Sequence, residues 1–467
     1  MTARNLLYIF SIITIVTAFY ITGSGCAQIG APTGGPRDTI APVLVNASPK
    51  LQSVNVTGNK ITLSFNEYVE LKDVQNNVLI SPLPIKAPSV DYKLKTVTVK
   101  LKDTLQPNTT YTVDFGNAIV DINEGNPFRR FTYVFSTGKF IDSLSLTGKI
   151  ILAETGKADS TIIAMLYRNA DDSSVRKRKP DYVARLDSGG NYNFNNLPSG
   201  NFKLYALRDG DGGKTYNSKS EMFAFADQVI NTGTTNTAPV MYAFEEQKEI
   251  KIVPGPTIRT AADKKLKYTS SLLSGSQSLL NDINITFNRP LKILDTNKIR
   301  ITDTSYVPVA SSSFKLDSSR KILTIKNKWA EDNPYRLIID KESVKDSADN
   351  FLAKSDTLKF NTKKLTDYGS IVLRFTGLNI SKHPVLQFIQ NDEIKFSYAL
   401  TSNEWSNKLF EPGEYELRIL YDDNNNGKWD PGNYSKKQQP EKAIALPQKL
   451  AIRGNWENER DVIIPGF

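Results

Sequence analysis

Residues 60–67 read Lys-Ile-Thr-Leu-Ser-Phe-Asn-Glu, and the apolar side chains of Ile61, Leu63 and Phe65 alternate with polar ones. Successive side chains of a β-strand point to opposite faces, so this period of two predicts a strand with one buried face. Similar alternation, divided by turn residues, recurs at 97–101, 111–115 and 131–135. Two antiparallel sheets stacked face to face would bury these apolar rows. The pattern therefore predicts a β-sandwich over residues 39–140.

Three pieces of this segment carry a more specific pattern. Ile61–Glu67 combines a strand with Phe-Asn-Glu, Leu105–Tyr111 reads LQPNTTY, and Phe135–Gly138 reads FSTG. Together they resemble the SbsA-type bacterial Ig-like domain. The resemblance implies a sandwich used for spacing or interaction, and it carries over no catalytic residues.

Residues 141–248 have a different signature. Gly189–Phe194 reads GGNYNF and runs into Leu197–Leu204, which reads LPSGNFKL. This order resembles transthyretin-like or carboxypeptidase-regulatory-like β-sandwiches, which serve as accessory modules. The basic run Val175–Pro180 (VRKRKP) lies between predicted strands, and we expect it to be a solvated loop rather than a ligand site.

Both signatures occur a second time. The alternation of Ile61, Leu63 and Phe65 returns at Ile283, Ile285 and Phe287, which predicts a divergent second Ig-like domain over 249–364. Phe410–Leu417 (FEPGEYEL) matches Leu197–Leu204, which predicts a second transthyretin-like sandwich over 365–467. Strand-forming residues are plentiful and long helical patterns are missing. The class is therefore predicted to be all-β, with tandem β-sandwich modules of two alternating kinds.

The amino terminus predicts export. Met1–Asn5 contains Arg4, Leu6–Ile21 is apolar, and small residues precede Cys26, which together indicate a secretory signal over residues 1–25. The sequence before Cys26 resembles the lipobox of bacterial lipoproteins, although Gly23 stands where leucine is usual. The resemblance implies that Cys26 is lipidated and becomes the new amino terminus. An ordinary cleaved signal and an uncleaved anchor helix are the alternatives.

The Gly- and Pro-rich residues that follow predict a flexible tether over 26–38. This opening resembles lipoproteins of the Bacteroidetes. Acidic residues often follow the cysteine of surface-exposed members, whereas Ala27–Gly30 contains none. We therefore expect an outer-membrane lipoprotein that faces the periplasm rather than the cell surface.

Residue counts exclude several chemistries. Cys26 is the only cysteine and His383 the only histidine among 467 residues, which nearly excludes zinc sites and Cys/His catalysis. The formal net charge of +10 is modest for this length and does not indicate a nucleic-acid partner.

One loop of the predicted fourth module resembles a calcium loop of the D-x-[DN]-x-[DN]-G type. Gly427 would form the sharp turn, and a calcium ion would be held by Asp422, Asn424, Asn426, Lys428 (through its carbonyl) and Asp430. Asp209 and Asp211 mark a weaker counterpart in the second module. The alternative is a polar turn without an ion, because Asn, Asp and Gly favour turns by themselves.

The sequence thus favours a non-catalytic, lipid-anchored scaffold or interaction protein of the cell envelope, with a protein or glycan partner. A surface glycan-binding or adhesion lipoprotein is the alternative, because Trp405, Trp429 and Trp456 all lie in the last module. Core packing of these tryptophans is the simpler interpretation. A glycan-processing accessory enzyme is a remote alternative, since no pair of carboxylates is singled out.

Overall fold

The structure is a computed structural model that describes residues 10–17, 38–169, 171–248, 265–272, 275–309 and 312–465. It divides into two compact units, Met1–Ile141 and Asp142–Phe467. Strands dominate both units, so the predicted all-β class is confirmed. Cys26 and most of the predicted signal and tether lie outside the described residues.

The first unit is built around the strand predicted from residues 60–67. Ile61, Leu63 and Phe65 of β2 are buried in one core, as the alternation predicts. The sheets have the orders β1-β2-β6-β5, β4-β7-β9 and β3-β8. The strands are β1 (Leu44–Ser48), β2 (Lys60–Phe65), β3 (Val69–Leu71), β4 (Leu79–Ser81), β5 (Ser89–Lys93), β6 (Thr96–Lys100), β7 (Thr110–Asp114), β8 (Ile119–Asp121) and β9 (Thr132–Ser136).

The third module repeats this topology inside the second unit. Its sheets have the orders β18-β20-β24-β23, β19-β27-β25-β22 and β21-β26. The strands are β18 (Tyr268–Ser270), β19 (Ser276–Gln277), β20 (Ile283–Phe287), β21 (Leu291–Leu294), β22 (Ile299–Thr302), β23 (Ser313–Leu316), β24 (Ile322–Lys326), β25 (Pro334–Ile339), β26 (Val344–Asp346) and β27 (Asp356–Thr362).

The second module has a three-stranded sheet, β13-β10-β17, and a five-stranded sheet, β12-β11-β14-β15 with β16 beside β14. β10 pairs antiparallel with β13 and parallel with β17. The strands are β10 (Leu144–Leu152), β11 (Ile163–Arg168), β12 (Tyr182–Arg185), β13 (Asn191–Leu197), β14 (Asn201–Leu207), β15 (Phe223–Phe225), β16 (Ile230–Asn231) and β17 (Met241–Ala243).

The fourth module has the same strand pairings in the same chain order, including one parallel pair, β28 with β35. Its sheets are β31-β28-β35 and β30-β29-β32-β33 with β34 beside β32. The strands are β28 (Gly369–Thr376), β29 (Pro384–Gln390), β30 (Glu393–Ala399), β31 (Glu404–Phe410), β32 (Gly413–Tyr421), β33 (Lys442–Ala445), β34 (Leu450–Ile452) and β35 (Glu457–Ile463).

The named helices are short. Val74–Asn77 and Ser174–Lys177 are α-helical, and Thr296–Lys298, Leu365–Asp367 and Ile380–Lys382 are 3-10 turns. Residues 10–17 are also helical. Within the described ranges, no helix has both the length and the apolar character needed to cross a membrane.

Each of the four predicted ranges contains its own hydrophobic cluster. Partly buried contacts join the third module to the fourth, since the backbone N–H of Leu279 donates to the Tyr368 hydroxyl at 2.6 Å. The Lys363 ammonium also pairs with the Glu411 carboxylate at 3.0 Å. A fifth cluster combines residues of the second and fourth modules.

Candidate functional site

Tyr434 is the centre of the surface that joins the second and fourth modules. It lies in the long loop between β32 and β33, and its side chain is buried. Its ring centroid lies 5.1 Å from that of Phe223 and 5.2 Å from that of Phe225. Its hydroxyl donates to the Asp172 carbonyl at 2.6 Å and lies 3.1 Å from the Tyr205 hydroxyl. One loop of the fourth module thus completes an aromatic cluster of the second.

The five-stranded sheet of the second module is buried on both faces. Leu204 and Ala206 of β14 face the module's own core, whereas Tyr205 and Leu207 belong to the shared cluster. The backbones also meet, because the N–H of Ala443 donates to the Ala153 carbonyl at 2.8 Å. Gly156 is required at this junction: its φ is +68°, and a Cβ there would lie 2.4 Å from the backbone nitrogen of Ala445.

The basic run 175–180 covers the edge of this cluster. The Arg176 guanidinium lies 5.2 Å from the ring centroid of Tyr216 and 5.6 Å from that of Tyr434. Arg178 stacks on Tyr167 and pairs with Asp181. Arg176 through Lys179 are exposed, as predicted for a solvated run. Their charged groups add cation–π contacts at the rim. The loop prediction is wrong for the rest, because Ser174–Lys177 is helical and Val175 and Pro180 are buried.

Burial raises the pKa of Tyr205, Tyr216 and Tyr434 above the usual range of tyrosine. For Tyr216, the hydrogen bond to the Glu246 carboxylate raises the pKa further, because the carboxylate disfavours a second negative charge.

We expect the second unit to lose stability as pH rises above about 10, the ordinary pKa of tyrosine. A folded-state pKa above the unfolded value means that the folded state holds its protons longer, so stability is complete below the unfolded pKa and falls above it. The melting temperature of the full chain should therefore be constant up to about pH 10 and fall as pH rises further. The melting temperature of Tyr434→Phe should fall less steeply with pH than that of the wild type. Equal slopes would show that the loss of stability does not come from the tyrosines of this cluster.

A cleft of about 400 Å³ opens beside the shared cluster. Glu154, Glu245 and Glu246 of the second module face Gln387, Ser397 and Trp429 of the fourth across it. The Glu246 side chain is only 3% exposed. Its Oε1 accepts the Tyr216 hydroxyl at 2.8 Å, whereas Oε2 has no hydrogen-bond partner.

The predicted calcium loop lies at the rim of this cleft and is closed by its own hydrogen bonds. Asp422 is fully buried, and its two carboxylate oxygens accept the backbone N–H groups of Asn426 (3.1 Å) and Gly427 (2.6 Å). The side-chain amides of Asn424 and Asn426 both donate to Asp430 Oδ2. In this arrangement the loop presents N–H groups where a calcium ion would need oxygens.

Glu441 is an acidic neighbour of this loop that the motif does not predict. Its two carboxylate oxygens accept the backbone N–H groups of Asp423 and Asp430, each at 2.9 Å. Burial, and then the charges of Asp422 and Asp430, raise the pKa of Glu441. Across the described residues, no group of three or more His, Cys, Asp or Glu side chains is arranged to hold a metal ion.

The weaker counterpart in the second module contains a lysine ammonium. Lys214 Nζ lies 3.1 Å from Asp209 Oδ2, and the backbone N–H of Lys214 donates to Asp209 Oδ1 at 2.9 Å. Asp211 accepts the N–H of Gly213 at 2.8 Å. The charge of Asp209 is therefore balanced within the chain.

Calcium binding stays a prediction, and it requires the amides of Asn424 and Asn426 to turn their oxygens inward. That rotation would set amide oxygens against Asp430, and a calcium ion would relieve the repulsion. A binding loop of this type should raise the melting temperature of the full chain in millimolar calcium but not in magnesium. Asp430→Asn should abolish the rise, and Asp211→Asn is the matched control. No response of the wild type to millimolar calcium would make the loop a plain turn.

The other two tryptophans have different surroundings. Trp405 packs on Phe388 and Tyr398, with ring centroids 5.5 Å and 4.8 Å apart, and contributes to the core of the fourth module. Trp456 is exposed. Of the three tryptophans in the last module, Trp429 alone lines the cleft.

The fold places this chain in the class of proteins built from tandem β-sandwich modules. Residues 38–137 and 268–362 match the family model of the bacterial Ig-like domain, so the first and third modules are Ig-like. Both match the segments for which the sequence predicts this domain. A search of curated proteins finds no significant match.

Several solved structures are similar at low identity. The N-terminal part of the bacterial S-layer protein SbsC is 19% identical over 44% of each chain, with a TM-score of 0.16. The Bacillus anthracis TIE protein is 11% identical over 93% of this chain and 76% of its own, with a TM-score of 0.17. BcpA, the major pilin subunit of Bacillus cereus, is 9% identical over 69% of this chain and 99% of its own, with a TM-score of 0.16. The assignment of the Ig-like modules rests on the family match.

Proposed function

We propose that this protein is a non-catalytic, lipid-anchored scaffold or interaction protein of the bacterial cell envelope. The observation that carries the proposal is the alternation of two Ig-like modules with two sandwiches of a second kind. The last three of these four modules pack as one compact unit. Such a unit holds separate surfaces at fixed distances, which suits a scaffold. Modules that were only strung together would not do so.

The most deeply buried acidic groups of the Ig-like modules support a structural rather than a catalytic role. Burial by itself would raise the pKa of Asp121, but the N–H groups of Glu124, Asn126 and Gly125 outweigh it and lower the pKa. Asp346 occupies the matching position at the end of β26 and accepts the N–H groups of Ala348 and Asn350, each at 2.8 Å. A carboxylate held ionised by backbone donors organises its turn and is poorly suited to general acid catalysis.

The anchor belongs to the proposal through the sequence alone. Cys26 follows an apolar run and small residues, and acylation there would attach the chain to a membrane, with residues 26–38 as a tether. The outer membrane of a Bacteroidetes-type envelope, with the modules facing the periplasm, is the proposed location. A protein or glycan of the envelope is the proposed partner.

The test is crosslinking in intact cells followed by membrane fractionation and mass spectrometry. We expect to find the chain in the envelope membrane fraction, crosslinked to a small set of other envelope components. Recovery in the cytosol, or a purified chain that turns over a glycan substrate, would contradict it.

A further inference from the structure

We propose that the cleft between the second and fourth modules is a binding site for a neutral saccharide. This inference goes beyond the scaffold function and does not depend on the membrane anchor. It rests on an unsatisfied buried carboxylate oxygen, a balanced set of charges and an indole held in a fixed orientation.

Glu246 contributes an unsatisfied carboxylate oxygen to the lining of the cleft. Glu246 is almost completely buried, and the N–H of Tyr434 and the hydroxyl of Tyr216 both donate to its Oε1. Its Oε2 has no hydrogen-bond partner, and the Lys219 ammonium is 4.0 Å away. A buried acceptor without a donor costs free energy. Glu246 lines the cleft, so a ligand that supplies an O–H donor to Oε2, once a rotation of the carboxylate uncovers this oxygen, would recover that cost.

The walls of the cleft carry charges of both signs. Three glutamates line the cleft, and each has a cation nearby. Lys248 lies 2.6 Å from Glu154, Arg208 3.9 Å from Glu245, and Lys219 4.0 Å from Glu246. Arg208 also pairs with Asp159, and Lys428 adds a further cation to the lining. A cationic ligand would have to displace these partners, and an anionic one would meet three carboxylates. A neutral ligand rich in hydroxyl groups can donate to the carboxylates and accept from the lysines.

Trp429 provides an apolar surface in the cleft. The indole N–H of Trp429 donates to the Glu441 carbonyl at 2.8 Å, which fixes the orientation of its ring. Ile394 and Pro431 extend this apolar surface. The Lys248 ammonium lies 5.9 Å from the ring centroid, and its side chain is 63% exposed. Sugar rings have apolar faces that pack on such a surface.

The size of the cleft agrees with this ligand class. A volume of about 400 Å³ falls within the range of small-molecule sites, and Gln387 and Ser397 add polar groups that both donate and accept. We therefore expect one to three sugar units to fit.

The test uses the full chain in detergent, probed on an array of neutral glycans and by calorimetry with maltotriose, chitotriose and mannotriose. Ser397 is exposed on strand β30 and lines the cleft, so Ser397→Trp should fill it without removing a buried group. Ser406→Trp is the matched control, because Ser406 is exposed on β31 of the same module and does not line the cleft. We expect saturable binding by the wild type and by Ser406→Trp, and a loss of at least about tenfold in Ser397→Trp.

Glu246→Gln is the second variant and keeps the shape of the side chain. Exchanging Oε2 for an amide donor should weaken saccharide binding by about tenfold. Circular dichroism and melting curves test whether each variant is folded. If Ser397→Trp does not fold, Glu246→Gln alone decides whether the cleft binds saccharides. Absence of binding to every neutral glycan, unchanged binding in Glu246→Gln, or binding of cadaverine in place of saccharides would overturn the proposal. None of these outcomes would affect membrane attachment or crosslinking, so the scaffold function is tested separately.

Discussion

Tyr434→Ala is expected to destabilise the second unit by about 3–5 kcal/mol, the usual cost of truncating a large buried aromatic side chain. The substitution removes a ring that packs on Phe223, Phe225 and Tyr205, together with its hydrogen bond to the Asp172 carbonyl. The effect should be concentrated at the junction, because the second and fourth modules also have separate cores. In denaturant titrations of the full chain, the unfolding transition of the second unit should therefore split into two.

Two variants make this prediction specific. Tyr434→Phe keeps the ring and removes only the two hydrogen bonds of the hydroxyl, so it should cost about 1–2 kcal/mol. Trp456→Ala removes a larger side chain that is 61% exposed, and it should change stability by less than about 0.5 kcal/mol. If Tyr434→Ala stays within about 1 kcal/mol of wild type, the two modules are not joined by this cluster in solution.

Cys26→Ala is expected to abolish lipidation, so that the chain is exported but stays unlipidated or unprocessed. In the proposed function the thiol of Cys26 is the point of acylation, and it is the only thiol in the chain. Each buried methylene of an acyl chain contributes about 0.8 kcal/mol, so loss of several chains removes nearly all affinity for the bilayer. Metabolic labelling with an alkyne fatty acid should mark the wild type and leave the mutant unlabelled.

Ser24→Ala is the control, because it changes the same segment and keeps both the small residue and the cysteine. It should be labelled and retained in the membrane fraction as the wild type is. Equal labelling of wild type and Cys26→Ala would exclude lipidation at this residue.

Much of the fold could be predicted from local patterns. The alternation of Ile61, Leu63 and Phe65 marks a strand with one buried face, and all three are buried in one core. The repeat of this pattern at Ile283, Ile285 and Phe287 correctly predicts a second domain of the same topology. Alternation predicts such strands because one face of a half-buried strand packs on the core and the other faces water.

The candidate site was predicted only in part. The motif at 422–430 identifies the loop, but neither Glu441 nor the cleft beside it follows from a local spacing. Glu246 and Tyr434 meet through a hydrogen bond although they are 188 residues apart in sequence. One local signal was available: β14 ends in the apolar run Leu204-Tyr205-Ala206-Leu207, which indicates a strand buried on both faces. That run predicts that something covers the outer face, but not what covers it.

The sequence by itself determined the all-β class, the two kinds of module and their alternation, because these depend on side-chain periods along single strands. The tertiary structure alone decided which modules pack together. It seats Tyr434 of the fourth module in an aromatic cluster of the second and sets Glu246 opposite Trp429 across one cleft. The reason is physical: a strand pattern states that a face must be buried, whereas its partner is selected by shape, hydrogen bonding and charge between segments far apart in the chain.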